Sequence, residues 1–383
     1  MNLLIFARHL RDRRNASGIT QANVASRLNV TPQTVSKWER GLSVPDLDNL
    51  IELAKLLNVS VDELICTDTN AIRSFAAIDG GGTKTEFILF TEEGHILRHL
   101  LRGSTNPNIV GKETAHDNLI NGLDELIDGI RISGIFGGIA GSTTSGNTEF
   151  LTKAIVSCAG NVPVRVGSDI LNVIHSVRGA DHCIAVICGT GSSVFSWDGV
   201  NLRRFGGWGY LFDGAGSGYD IGCDILRECF ALNDGFGKAS LVSELAEKQL
   251  GCPAIELLDK FYAGKRNIVA SLAPIAFDAF RQGDEAARTI LIRNFSHIAS
   301  LIRAADNGSD TVIISGGLTC HRDVIEPLLA GMLPSRMKLV FPALPQIYGS
   351  ALAAMKLCGC TPADPDIFDR HFTEEYNQIK KDT

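Results

Sequence analysis

The first 66 residues carry apolar side chains at helical spacing, in short runs that capping residues separate. Thr20 and Thr31 each precede such a run, Pro32 stands at a first helical position, and Gly41 stands where a run ends. The pattern predicts five short helical segments, over residues 2–14, 21–28, 33–40, 47–57 and 61–65. We therefore expect a compact all-α bundle, which we call the head (residues 1–66).

The pattern changes after a polar linker at residues 67–73. From there, short runs rich in β-branched and aromatic residues alternate with glycine-rich turns, which is typical of buried strands in an α/β protein. The runs predict strands over residues 74–79, 86–90, 95–101, 162–166, 183–188, 194–197, 202–205 and 311–315. Because the first hairpin recurs later in the chain, we expect a body of two similar lobes, over residues 74–181 and 182–345. A helix from Gly349 to Leu357 would return to the first lobe, within a C-terminal segment over residues 346–383 whose tail carries no motif.

Charge is distributed unevenly between these parts. The chain has 383 residues and a net charge of −7, yet residues 1–45 hold seven Lys and Arg against two Asp and Glu, which leaves −12 on the remainder. A basic head on an acidic body favours a head that meets phosphate and a body that does not. No apolar run is long enough to cross a membrane, and ten scattered cysteines show no zinc-ligand spacing, so we expect a cytoplasmic protein with reduced thiols.

Two glycine-rich turns follow predicted strands and offer backbone N–H groups to an anion. In the first turn, Gly81 and Gly82 permit a close approach and Thr83 adds a hydroxyl, while Asp79 could hold Mg²⁺ through water. The second is a turn of glycines and hydroxyl residues over residues 189–193. An ordinary hairpin turn gives the same pattern, so that alternative stays open.

The third predicted helix has one polar face. Val35 and Trp38 would point inward, and the outward side chains, which can reach base edges or phosphates, are Gln33, Thr34, Ser36 and Lys37. Gln21 follows Thr20 at a helix N-terminus, a place where DNA phosphate can be bound. A helical bundle that contacts only proteins would show the same face, and this alternative also stays open.

The run from Thr20 to Gly41 resembles the helix-turn-helix of the Cro/C1-type (xenobiotic-response-element) family, and the similarity extends to Ile65. The resemblance implies that the head binds a double-stranded DNA operator as a homodimer, with the Thr31–Arg40 helix in the major groove. Arg40 therefore joins the residues expected to contact DNA.

Seven segments of the body resemble the N-acetylglucosamine kinase and BadF/BadG ATPase family, within the sugar kinase, Hsp70 and actin superfamily. They are Asp79–Thr85, Ser104–Asn108, Gly167–Asp169, Cys188–Ser192, Gly206–Tyr210, Gly216–Tyr219 and Ser315–Gly317. The resemblance spans residues 76 to 358. It implies a two-lobed α/β body of the actin-like (ribonuclease H-like) fold that uses ATP and Mg²⁺ on an amino sugar.

The resemblance also implies roles for particular residues. Asp169 would be the general base that accepts the proton of the attacking hydroxyl, although an Asp that precedes a helix is also an ordinary N-cap. ATP and its Mg²⁺ would lie on Asp79, Gly81, Gly82, Thr83, Thr190, Gly316 and Gly317. The sugar would lie on Asn106, Asp169, Ser192, Ser193, Gly207, Trp208 and Gly209.

One departure from the family bears on catalysis. The family carries an Asp-Glu pair directly before the glycine at Gly216, and the first of these acids contacts the sugar. Here the two positions hold Gly214 and Ala215, with Asp213 one place earlier. The change would weaken sugar binding, alter the substrate or abolish turnover, unless Asp213 takes over the role.

Two functions are compatible with this organisation. The first is a transcriptional regulator whose kinase-like body senses an amino sugar or a nucleotide, so that closure of the lobes alters the spacing of paired heads. The second is an active amino-sugar kinase that carries an autoregulatory head. We favour the first for the whole chain.

Overall fold

The computed structural model describes residues 3–61, 64, 72–263 and 266–382. The described helices of the head are α1 (Leu3–Ala16), α2 (Gln21–Leu28), α3 (Pro32–Glu39) and α4 (Leu47–Leu56). The fifth predicted helical segment and the predicted linker fall largely outside the described residues.

The predicted caps fix the ends of the two central helices of the head. The Thr20 hydroxyl accepts a hydrogen bond from the Asn23 N–H, and the Thr31 hydroxyl accepts one from the Thr34 N–H, each at 3.2 Å. Asn29 ends α2 in the left-handed conformation, with a φ of 56°. Both helices are therefore confirmed, α2 to the residue and α3 within one residue.

Each lobe of the body contains one five-stranded sheet. The strands of the first sheet are β1 (Ser74–Gly80), β2 (Lys84–Thr91), β3 (Ile96–Gly103), β4 (Ile135–Ile139) and β5 (Val164–Gly167). The strands of the second sheet are β6 (Cys183–Cys188), β7 (Ser192–Trp197), β8 (Leu202–Phe205), β9 (Thr311–Ser315) and β10 (Lys338–Val340).

The two sheets share one plan. Their orders are β3-β2-β1-β4-β5 and β10-β9-β6-β7-β8, so each has three consecutive antiparallel strands and two further strands that add in parallel. Parallel neighbours need crossover connections, which the intervening helices supply. The duplication confirms the predicted two-lobed α/β body.

The other described helices follow in chain order. In the first half of the body they are α5 (Pro107–Val110), α6 (Lys112–Ile127), α7 (Asn147–Ala159), α8 (Ile170–His175), α9 (Gly218–Asn233) and α10 (Leu241–Leu250). They continue with α11 (Leu258–Tyr262), α12 (Arg266–Ala270), α13 (Ala273–Arg281), α14 (Glu285–Ala304), α15 (Arg322–Ala330), α16 (Gln346–Leu357) and α17 (Pro365–Asp382). Two short 3₁₀ helices cover Ala254–Leu257 and Gly317–His321.

The chain forms two compact units. The first unit comprises Met1–Asp169 and Ser350–Thr383, and the second comprises Ile170–Gly349. The head, the first sheet and α17 therefore belong to the first unit, and the second sheet belongs to the second. The division after Asp169 assigns α8 to the second unit, earlier than the predicted lobe boundary. No helix within the described part of the chain has the length and apolar character to cross a membrane.

The C-terminal helix α17 covers one face of the first sheet, although its sequence carries no motif. Phe368 and Phe372 of this helix lie edge-on to Phe90 of β2, with ring centroids 6.2 and 6.4 Å away. A side chain at Gly94 would lie 2.5 Å from the Phe368 carbonyl oxygen, so the turn before β3 needs glycine to let the helix approach. Aromatic packing thus holds α17 against the sheet.

Glu86 of β2 adds a polar attachment for the same helix. Its carboxylate accepts hydrogen bonds from the Tyr376 hydroxyl (3.1 Å) and the Lys380 ammonium (2.8 Å), and it lies 2.7 Å from His99 Nε2 on β3. Burial raises the pKa of Glu86, but the hydrogen bonds to His99 and Lys380 outweigh it and lower the pKa to about 2. Glu86 is therefore a carboxylate at neutral pH, and its negative charge holds Lys380 of α17.

Candidate DNA-binding and ligand-binding sites

Helix α3 presents the polar face that the sequence predicts. The outward residues are accessible, with Gln33 and Lys37 exposed and Thr34 and Ser36 half-buried. Arg40 is also exposed, and its Nε donates to the Ser36 carbonyl oxygen (3.3 Å) at the end of the helix. The predicted inward pair, Val35 and Trp38, is buried in the core of the head.

A buried acid locks α1 and α2 to α3 behind this face. Glu39 is 6% exposed. Its carboxylate accepts hydrogen bonds from the Arg14 guanidinium at 2.5 and 3.0 Å and from Gln21 Nε2 at 2.7 Å. The amide nitrogen of Gln21 therefore lies on a protein acid, and its contact with DNA phosphate stays a prediction.

Three of the four arginines of α1 bind acids of the first unit. Arg8 Nη2 donates to Glu93 Oε2 at 2.5 Å, and Arg11 Nη2 donates to Glu375 Oε1 of α17 at 3.2 Å. Arg14 is likewise bound to an acid, as described above. Three of the seven basic side chains counted in residues 1–45 are thus paired with acids within the chain. The charge asymmetry of the sequence therefore overstates the positive charge that the head offers to DNA.

Glu375 joins the head, α17 and β3. Besides Arg11, its carboxylate contacts His95 Nδ1 (2.9 Å) and accepts the Ile96 N–H (2.7 Å). Burial raises the pKa of Glu375, but the hydrogen bonds to His95 and Ile96 and the charge of Arg11 outweigh it, so that its pKa lies below the usual range. A cavity of about 200 Å³ lies at this junction, and Arg40 lines it. The end of α3 that bears Arg40 thus lies beside the body.

The first glycine turn closes the hairpin between β1 and β2. The Gly81 N–H donates to the Lys84 carbonyl oxygen (2.9 Å), so the turn itself uses this predicted anion donor. Gly82 is half-buried and Thr83 is exposed, which leaves both accessible to a ligand. Asp79 is half-buried at the carboxyl end of β1.

Asn106 lies beside this turn. The Ser104 hydroxyl donates to the Gly81 carbonyl oxygen (2.9 Å) and accepts the Asn106 N–H (3.1 Å), which brings the two predicted segments together. Asp169 follows β5 directly before α8, is half-buried, and accepts a hydrogen bond from the Ser168 hydroxyl (3.0 Å). The first unit therefore contains six of the predicted site residues: Asp79, Gly81, Gly82, Thr83, Asn106 and Asp169.

In the second unit, one cavity of about 140 Å³ brings together residues that are distant in sequence. Five of the predicted site residues line it, namely Thr190, Ser192, Gly207, Gly209 and Asp213. Two backbone hydrogen bonds hold the Thr190 turn at the start of α9, from the Gly218 N–H to Gly189 O (2.7 Å) and from the Tyr219 N–H to Thr190 O (3.2 Å). The Thr190 turn, which the resemblance assigns to phosphate, and the loop of Gly207 and Gly209, which it assigns to sugar, thus line the same cavity.

The remaining predicted residues of the second unit, Ser193, Trp208, Gly316 and Gly317, are not among those that line this cavity. Gly207 has a φ of 71°, and a side chain there would lie 2.5 Å from Ser193 Cβ, so Ser193 supports the loop. Trp208 is 62% exposed, with the Arg204 guanidinium 4.2 Å from its ring centroid. Gly316 has a φ of 109° and would place a side chain 2.4 Å from Cys188 O, whereas Gly317 borders open space.

Asp213 holds the loop of the cavity in place. Its Oδ2 accepts the Gly207 N–H (2.9 Å), and its Oδ1 lies 3.0 Å from His297 Nε2 on α14. Both carboxylate oxygens thus have protein partners. At Gly214, a side chain would find its nearest atoms at 3.6 to 3.8 Å, which is ordinary van der Waals contact. The position at which the resemblance leads us to expect the first acid therefore has room for one.

Sequence reasoning missed several residues that line this cavity. Tyr210, Ser217 and Tyr219 lie within motifs that the sequence displays, so their position in the motifs was the available signal. Arg266 begins α12 outside every motif and carries no local signal.

The duplicated sheets, each with a glycine turn, define a two-lobed body of the sugar-kinase and actin-like fold, joined to a helix-turn-helix head. The chain belongs to the BadF/BadG/BcrA/BcrD ATPase family, whose sequence profile matches residues 77–336. A separate helix-turn-helix profile matches residues 10–64. The protein is therefore a helix-turn-helix regulator domain fused to an N-acetylglucosamine-kinase-like domain.

Two proteins resemble the two parts separately, and one solved structure resembles nearly the whole chain. The N-acetyl-D-glucosamine kinase of Dictyostelium discoideum is 29% identical over 250 residues, which cover 60% of this chain and 78% of the relative. The HTH-type transcriptional regulator ImmR of Bacillus subtilis is 38% identical over 61 residues, which cover 16% of this chain and 48% of ImmR. A solved ROK family transcriptional regulator, a homologue of the E. coli MLC protein, shares the fold with a TM-score of 0.54 at 13% identity, over 97% of this chain and 98% of that protein.

Proposed function

We propose that this protein is a sequence-specific transcriptional regulator that binds an operator as a homodimer and whose kinase-like body binds ATP and an amino sugar as signals. The observation that carries the proposal is the attachment of the head within the first unit. Arg8 and Arg11 of α1 are bonded to Glu93 and Glu375. A ligand-dependent movement of the first sheet would carry the head with it, because these charged hydrogen bonds join the two.

The exposed face of α3 supports the DNA-binding half of the proposal. Gln33 and Lys37 project from the helix that a helix-turn-helix inserts into the major groove, and both are exposed. The similarity of this segment to ImmR supports a role in transcription.

The hydrogen-bond donors and the carboxylate at the first glycine turn suit ATP with Mg²⁺. Gly82 and Thr83 are accessible on the turn, and Asp79 offers a carboxylate at the adjacent strand end. Within the described residues, no group of three or more His, Cys, Asp or Glu side chains could hold a metal ion. Mg²⁺ commonly keeps its waters and is held by substrate phosphates with one or two carboxylates, so Asp79 would suffice. Bound Mg²⁺ would neutralise phosphate charge, and the turn would orient the phosphates.

An active amino-sugar kinase is the second candidate function. The position of Asp169 at the end of β5 favours it, because a carboxylate there could accept a proton from a sugar hydroxyl. The similarity to the Dictyostelium kinase supports the same activity. The absence of an acid at Gly214 and Ala215 weighs against it, since both oxygens of Asp213 already have protein partners.

A coupled assay of ADP release distinguishes the two candidates. We expect the unmodified full chain to release ADP no faster with N-acetylglucosamine, glucosamine or N-acetylmuramic acid than with ATP alone, because the cavity lacks the sugar-binding acid. If one sugar accelerates ADP release and Asp169→Asn abolishes the acceleration, the kinase function replaces the pure sensor. Acceleration that survives Asp169→Asn would come from a contaminant, and it would leave the proposal intact.

A further inference from the structure

We infer that the cavity of the second unit binds a phosphate ester and that Arg266 is the residue that pairs with the phosphate. The inference rests on the proposed function, because it names the chemical class of a ligand that the kinase-like body senses. It differs from a neutral sugar pocket, in which carboxylates accept the protons of sugar hydroxyls.

The charges that line the cavity are the first argument. Asp213 and Arg266 are the charged residues in its lining. The Asp213 carboxylate accepts the Gly207 N–H and contacts His297, so its oxygens are engaged within the protein. The charge left for a ligand is therefore that of Arg266.

The environment of Arg266 is the second argument. Its guanidinium lies 4.8 Å from the centroid of the Tyr210 ring, in a cation–π contact. Across the ranges that the structure describes, no carboxylate forms a salt bridge with it within 4.0 Å. Stacking on a ring leaves the N–H edges of a guanidinium available, and their fork geometry matches phosphate.

The polar groups around Arg266 are the third argument. Three residues that carry hydroxyls, Thr190, Ser217 and Tyr219, line the same cavity. The Ser217 oxygen accepts the Asp220 N–H (3.1 Å), and this bond does not use the Ser217 hydroxyl proton. Without the acids that the resemblance expects at Gly214 and Ala215, Arg266 gives the lining a charged donor, while both oxygens of its one carboxylate, Asp213, have protein partners. Phosphate oxygens accept hydrogen bonds, so this lining suits a phosphate better than the hydroxyls of a sugar.

Two ligands carry the chemistry that these groups recognise. A sugar phosphate presents a phosphate monoester, and ATP presents a terminal phosphate. Both would lie on the guanidinium in the same way, so the experiment must separate them.

Isothermal titration calorimetry of the full chain tests the inference with three probes: N-acetylglucosamine 6-phosphate, ATP with Mg²⁺, and N-acetylglucosamine. We expect Arg266→Ala to raise the Kd of a phosphorylated probe by about 10- to 100-fold, because a charged hydrogen-bonded pair is lost. Arg266→Lys should have a smaller effect, because it keeps the charge but loses the fork. The Kd of the neutral sugar should stay unchanged. Arg288→Ala, which removes an exposed arginine of α14 in the same unit, is the matched control.

The probes identify the source of the phosphate. An effect on the sugar phosphate assigns the cavity to a phosphorylated sugar, and an effect on ATP alone assigns it to the nucleotide; both support the inference. If the unmodified chain binds neither phosphorylated probe, or if Arg266→Ala leaves both Kd values unchanged, the inference is overturned. Binding that depends on Arg266 without any response of DNA affinity would refute the proposed function and leave this inference standing.

Discussion

The substitutions Gln33→Ala and Lys37→Ala should each weaken binding of the full chain to its operator by about tenfold or more. The first removes hydrogen bonds to a base edge, and the second removes a positive charge that faces a base or a phosphate. Both side chains are exposed on α3, so truncation removes little packing. The measurement is an electrophoretic mobility shift on duplexes that the unmodified chain selects from random sequence.

The salt dependence separates the two roles. If Lys37 binds phosphate, Lys37→Ala should reduce the slope of log K against log salt by about one, whereas Gln33→Ala should leave it unchanged. Lys153→Ala is the control, since this lysine of α7 is 75% exposed in the body. Unchanged affinity in both α3 variants, with helical content intact by circular dichroism, would contradict the assignment of α3 as the recognition helix.

Substitution of Gly214 by aspartate should give the chain a sugar-dependent release of ADP that the unmodified chain lacks, since the new carboxylate supplies an acceptor for a substrate hydroxyl. The backbone around Gly214 has room, because the nearest atoms to an added Cβ lie at 3.6 to 3.8 Å. The assay is ATP-dependent phosphorylation of N-acetylglucosamine, measured by ADP release.

Two variants make this prediction specific. Gly214→Asn adds a side chain of the same shape without the charge, and it should gain far less than Gly214→Asp. Asp169→Asn in the Gly214→Asp background should remove the gain, because the proposed general base is lost. If Gly214→Asp and Gly214→Asn behave alike, the missing acid is not what limits turnover.

Local chemistry explains why much of this protein could be predicted from its sequence. Thr20 and Thr31 cap helices through contacts only three residues apart, so their effect is visible in a short window. The strand from Cys183 to Cys188 is buried except at the half-buried Ile187, and it therefore appears as an unbroken apolar run.

Other features depend on contacts between distant parts of the chain. The bond between Arg11 and Glu375 joins residues 364 positions apart, and neither has a local pattern that indicates the other. The charge count treated Arg8, Arg11 and Arg14 as available to DNA, because a sequence does not show which acid will fold against which base. The sequence did not predict helix α17 for the same reason, because the role of its aromatic residues is apparent only from their packing against β2.

The candidate sites show the same difference between local motifs, which the sequence predicts, and contacts between distant residues, which it does not. The glycine turns are short motifs, and the sequence predicts them. Arg266 reaches its cavity only through the packing of α12 near α9 and the Tyr210 loop, which no motif encodes. Asp213, which supports the cavity loop, contacts His297 on α14, and this residue is far away in sequence.

A double variant tests whether the attachment of the head matters for signalling. Glu93→Gln with Glu375→Gln removes the acids that bind Arg8 and Arg11 while leaving the DNA-facing residues untouched. We expect this variant to bind the operator but to lose its response to ligand, and it is the control for the measurement that follows.

The most direct test of the account is the operator affinity of the full chain, measured by fluorescence anisotropy with and without saturating ligand. The ligands are those that calorimetry shows to bind, among ATP with Mg²⁺, N-acetylglucosamine and its 6-phosphate. A regulator whose body controls its head predicts a change in Kd of about fivefold or more, in either direction. An operator Kd that stays the same while the ligand is bound would contradict the claim that the kinase-like body acts as a sensor.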